Sequence, residues 1–102
     1  MPRYVLAVHT RPVPGLEADY HRWYDQVHLA EVLGVPGFVG AQRLAACEPV
    51  RHNEFVATYS IESDDIDATI AEFDRARALL RTPPSLDPES VSFRLYRVIG
   101  GQ

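Results

Sequence analysis

This chain is poor in the residues that build metal clusters, cross-links and nucleic-acid surfaces. It has one cysteine, Cys47, in 102 residues, which excludes an intramolecular disulfide and a cysteine-cluster metal site. Basic residues are outnumbered, 10 against 14 acids, for a formal net charge of −4. No basic stripe is present to neutralise phosphates, so nucleic acid and anionic membrane surfaces are poor partners. No apolar run approaches the ~20 residues needed to span a bilayer. Gly-rich phosphate loops and dinucleotide fingerprints are absent, and no cofactor is called for by any motif. The first residues run straight into Arg3-Tyr4-Val5-Leu6-Ala7-Val8, without the layout of a signal peptide. A cytoplasmic protein is the expectation.

What is present is a normal globular composition, 46% hydrophobic and 24% charged, in a length suited to one domain, 1–102. Alternation predicts strands at Arg3–Thr10, Phe38–Ala46, Glu54–Ile61 and Val91–Ile99. On the second strand it groups Phe38 with Gly40, Gln42 and Leu44. A helix is expected from about Leu16 to Leu33, stopped by Gly34 and Pro36. A second opens at Ser63, read as its N-cap, with Ile66, Ile70, Phe73 and Leu80 as its apolar stripe. Thr82–Ser90, with three prolines, reads as an extended surface loop. The order βαββαβ gives an α+β, ferredoxin-like arrangement: a four-stranded antiparallel sheet with two helices on one face. The strands are apolar on both sides, so the second face calls for a cover. A two-fold homodimer through that open sheet face would supply it.

The first helix carries the chemistry. At about 100° per residue, Leu16, Tyr20, Trp23, Val27 and Ala30 fall within an arc of roughly 80°, the expected buried stripe. Tyr24, His28 and Glu31 lie on one flank, at i,i+4 and i,i+3 spacing, so each pair can touch. His28 is a candidate acid–base residue, since imidazole takes and gives protons near neutrality, with Glu31 or Tyr24 orienting it. The alternative is a histidine at the negative end of a helix. His28 and Glu31 alone do not make a metal site, because helical carboxylate sites draw more ligands from partner helices. His9, at the end of the first strand, either points toward the helices or sits at the surface. Tyr20, Tyr24, Tyr59, Phe73 and Tyr96 would wall a cleft suited to a flat ligand, with Trp23 as packing.

The run Pro14-Gly15, Trp23-Tyr24-Asp25-x-Val27-His28-Leu29, Val35-Pro36-Gly37-Phe38 and Arg43 resembles the dimeric α/β-barrel superfamily, most nearly its EthD-like and REDY-like small proteins. The resemblance covers the whole chain. It implies sheets pairing into a dimeric α/β barrel and a pocket between sheet and helices. It does not specify a reaction, since the superfamily holds cyclases, isomerases, cofactor-free monooxygenases and haem-handling enzymes. Arg43 matches a position where the family often has arginine, to bind a carboxylate or enolate or to pair with an acid.

The expectation is therefore a small cofactor-independent enzyme of cyclase, isomerase or dehydratase type. Its partner would be an apolar aromatic or polyketide-like molecule, as in secondary metabolism or aromatic degradation. His28, Glu31 and Tyr24 would be catalytic, and His9, Tyr20, Arg43, Tyr59, Phe73 and Tyr96 would bind substrate. Two alternatives stand beside it: a non-catalytic dimeric carrier of EthD-like type, and a cofactor-free or haem-assisted monooxygenase.

Overall fold

The computed structural model describes residues 1–102. Strand β1 (Arg3–Thr10) lies between β3 (Phe55–Glu62) and β4 (Ser92–Arg97), antiparallel to both, and β2 (Phe38–Ala45) closes the other edge beside β3. The strand order β2-β3-β1-β4, with helical crossovers after β1 and β3, is the ferredoxin-like α+β architecture expected from the βαββαβ pattern.

The first crossover is not one regular helix. It comprises α1 (Glu17–Trp23), a π turn (Tyr24–His28) and α2 (Leu29–Leu33). In the π turn the Leu29 N–H donates to the carbonyl of Tyr24, five residues back. This corrects the expected stripe. Leu16, Val27 and Ala30 are exposed, and the inward line is Tyr20, Tyr24, His28 and Val32. A four-residue repeat drifts about 40° per turn on a regular helix; a wider i→i+5 turn takes up that drift and keeps the line facing the sheet.

The helix-facing side of the sheet holds the core. Leu6 and Val8 of β1 and Ala57, Tyr59 and Ile61 of β3 pack against Tyr20, Tyr24, Val32 and, from α3 (Ile66–Leu79), Phe73. The register of β2 slips between Phe38 and Gly40. This bulge puts Phe38 on the face of Ala41 and Arg43, where alternation had grouped it with Gly40, Gln42 and Leu44. Just before it, Gly37 has φ +94°, and a Cβ there would stand 3.1 Å from the Glu62 carbonyl oxygen, so only glycine makes this turn without strain.

The N-cap of α3 is Asp65, which accepts from the Ala68 N–H, rather than Ser63. Ser63 instead accepts from the Asp65 N–H and bonds the Thr69 hydroxyl at 2.6 Å. The segment expected to be an extended surface loop turns inward. Val13 donates to the Ser85 carbonyl, Asp87 to that of Arg11, and Pro12 bridges Leu86. Ser85 and Leu86 are buried as a result. The other sheet face is uncovered by the chain. It carries Val5, Ala7, Val56, Leu44 and Tyr96, interspersed with His9, Gln42, Thr58, Ser60 and Arg94, and is more mixed than the strand sequences implied. No helix is long and apolar enough to cross a membrane.

Candidate active site

A cavity of about 260 Å³ opens between the sheet, the first crossover and α3. The π turn and its neighbour supply Trp23, Tyr24 and His28; the sheet supplies Val8, Thr10, Tyr59 and Phe93; α3 and the segment after it supply Phe73, Arg77 and Arg81. The inturned segment closes it with Leu86.

His28 is held on three sides. Its ring stacks on the Trp23 indole at 4.3 Å and 18°, and meets the Tyr24 ring edge-on at 5.3 Å. Its Nδ1 faces Glu31 Oε1 at 3.5 Å. Both atoms are buried and make no other polar contact. At that length the pair is close without being a good hydrogen bond, a geometry that tightens when a ligand closes an acid–base site. With Nδ1 directed at the carboxylate, Nε2 is the ring nitrogen left for a ligand. Burial holds the His28 pKa below its ordinary value, and Glu31 offsets this only in part. The imidazole is therefore neutral at pH 7, the state a general base requires.

The tyrosine hydroxyls stay protonated. Burial pushes Tyr24 up to about 12, and it raises Tyr59 and Tyr20 as well. Thr10 Oγ1 lies 2.5 Å from the Tyr20 hydroxyl and donates to that of Tyr24 at 3.3 Å. Because Thr10 has one proton, Tyr20 must donate to it, and Tyr24 keeps its own proton for a ligand. The Tyr59 hydroxyl is buried with no partner within the protein. Two neutral donors thus border the cavity floor, one supported by a relay and one unused.

The structure brings His28, Glu31, Tyr24, Tyr59 and Phe73 together, as the sequence proposed, and separates the remaining candidates from them. Tyr20 is fully buried beneath Thr10 and is not a wall residue. Arg43 also stands outside the cavity. Its guanidinium bonds Asp25 and the His21 Nδ1, both at 2.9 Å, and lies 4.7 Å from the Tyr24 ring centroid. His9 and Tyr96 have the opposite pleat from the cavity-lining Val8 and Phe93 and sit on the uncovered face. Wall residues that the sequence did not mark as ligand contacts include Trp23, Thr10, Phe93, Arg77 and Arg81. The clustering of arginines toward the end of α3 was the available signal for Arg77 and Arg81; nothing in the sequence marked Thr10.

Neither a protein-family model nor a curated protein matches this chain, but solved structures do. The haem degrader MhuD of Mycobacterium tuberculosis, solved with two haems in its active site, is similar over 97% of this chain and 98% of that one, at 24% identity and a TM-score of 0.63. SnoaB, a cofactor-independent oxygenase of Streptomyces nogalater, is similar over 97% and 95%, at 18% identity and 0.64. An EthD family protein of Bacillus halodurans is similar over 93% and 96%, at 10% identity and 0.58. These likenesses show that the chain has the ferredoxin-like α+β fold of those structures.

Proposed function

We propose that this protein is a cofactor-independent enzyme that takes a proton from a hydroxylated aromatic or polyketide-like molecule, with dioxygen as the oxidant. The observation that carries the proposal is the buried His28–Glu31 pair on the wall of an aromatic cavity, with the donors Tyr24 and Tyr59 beside it. His28 Nε2 removes a proton from an activated CH₂ or from a phenolic hydroxyl, and Glu31 stabilises the imidazolium. Tyr24 and Tyr59 donate to the enolate or phenolate oxygen. The electron pair that the enolate or phenolate delocalises onto carbon then reduces dioxygen. A carbon–oxygen bond forms and the oxygen–oxygen bond breaks. One oxygen stays as a carbonyl, and the other leaves as water with the two hydrogens lost from the substrate.

Cyclisation, dehydration and isomerisation begin with the same proton abstraction. Dioxygen is preferred because MhuD and SnoaB are named for haem degradation and oxygenation. Resident haem does not fit the residues present. The cavity holds about 260 Å³, room for two or three fused rings but not for a tetrapyrrole, and its walls are packed aromatic rings. The direct test is oxygen uptake with anthrone and a panel of naphthols. Uptake in the wild type should fall ~100- to 10,000-fold in His28→Ala with the far-UV circular dichroism unchanged. Equal uptake by the two proteins ends the proposal. Tight binding without uptake by either supports a carrier.

The same reading includes a homodimer through the uncovered sheet face and action in the cytoplasm. The exposed apolar side chains Leu44 and Tyr96, with Val5, Ala7 and Val56 between them, support the dimer. Light scattering should return twice the chain mass; a monomer at micromolar concentration removes it.

A further inference from the structure

The cavity is uneven in charge. Two guanidiniums, Arg77 and Arg81, line its α3 side, and no aspartate or glutamate lines it anywhere, although the chain has more acids than bases. Arg77 is held in place by the cavity's own rings, its guanidinium carbon 4.8 Å from the Phe93 centroid and 5.9 Å from that of Phe73. Its one ion pair, with Asp74 at 3.3 Å, is half-exposed and contributes little. Arg81 has no ion pair in the chain. Both arginines are exposed at the cavity mouth, whereas Tyr24 and Tyr59 are buried at its floor. A neutral ligand would leave Arg81 without a counterpart and Arg77 with only its half-exposed pair, and a cation would be repelled.

We infer that the ligand of this cavity is a flat aromatic carboxylate, its carboxylate held by Arg77 and Arg81 and its rings lying between Trp23 and Tyr24 on one side and Phe73 and Phe93 on the other. The inference rests on the proposed function only for which end reacts. An anchored carboxylate places the opposite, hydroxylated end toward His28 and the tyrosines. Guanidinium suits this role because its fixed fork matches a carboxylate and its plane stacks on rings. Such anchoring also limits the poses in which the reacting carbon can meet the base.

The test compares a hydroxynaphthoate with the naphthol of the same ring system by isothermal titration calorimetry. The indole N–H resonance of Trp23, the only tryptophan, reports whether binding is in the cavity. The hydroxynaphthoate should bind about tenfold tighter or more, the usual worth of a charged hydrogen bond. Arg81→Gln, which removes no contact the fold uses, should lower that affinity several-fold and leave the naphthol unchanged. The double variant Arg77→Gln/Arg81→Gln should erase the preference. Equal binding of the two probes by the wild type overturns the inference, as does a preference that survives the double variant or a Trp23 signal that ignores both. The preference should persist in His28→Ala. If it does while no oxygen uptake is found, the oxidation fails and the carboxylate site stands; uptake without the preference is the reverse case.

Discussion

The imidazole of His28 lies nearly parallel to the indole of Trp23, with ring centroids 4.3 Å apart. Burial disfavours the imidazolium. The consequence for stability has a definite sign. The folded-state pKa of His28 lies below its ordinary value of 6.5, so between those two values the unfolded chain binds more protons than the folded one, and stability falls as pH falls. Wild type should therefore lose stability relative to His28→Gln as pH drops from 7 through 6.5 to the folded pKa, and run parallel to it below. Urea unfolding at a series of pH values measures this. Parallel curves throughout would mean that the ring is solvated.

Glu31 is the group that pulls the His28 pKa back up. Glu31→Gln should lower it further and move the acid limb of the kcat/KM profile to lower pH. The rate on the plateau should fall as well, but by less than in His28→Ala, because the base remains and only the stabilisation of its charged form is lost. A purely structural Glu31 would change the rate without moving the limb.

Tyr59→Phe should separate stability from function. The hydroxyl is buried and unpartnered, so its removal relieves a desolvation cost and should stabilise the protein by about 1 kcal/mol. If it donates to a developing oxyanion, turnover should fall on the order of a hundredfold. Thermal unfolding and oxygen uptake on the same preparation give both numbers. A destabilised variant with full activity would assign the hydroxyl to packing.

Gly37→Ala tests the turn that feeds β2. Its φ of +94° and the 3.1 Å approach to the Glu62 carbonyl oxygen should together cost roughly 1–3 kcal/mol. Gly40→Ala is the control, since a Cβ there meets the Ser60 side chain at an ordinary 3.7 Å. Urea midpoints should shift strongly for the first and little for the second.

The order of strands and helices, and with it the fold, was legible in the sequence, because alternation in strands and the Gly-Pro and Asx stops are local properties of the chain. The association of Tyr24, His28 and Glu31 was legible for the same reason: three and four residues apart on a helix, they can meet whatever surrounds them. Other features depended on contacts distant in sequence. The π turn is one, since a wider turn forms only where sheet packing rewards keeping Tyr20, Tyr24, His28 and Val32 in line. The slip at Phe38 and Gly40 is another; it moves Phe38 to the opposite face from the one simple alternation assigns. The inward fold of Ser85 and Leu86 needs carbonyls and N–H groups more than seventy residues back along the chain, which no local pattern announces. The same is true of Arg77 and Arg81. The sequence clusters them toward the end of α3 and just past it, but only the packing of that helix and the following segment over the sheet turns two surface charges into the mouth of a cavity, and the pleat of the strands leaves His9 and Tyr96 on the other side of the sheet.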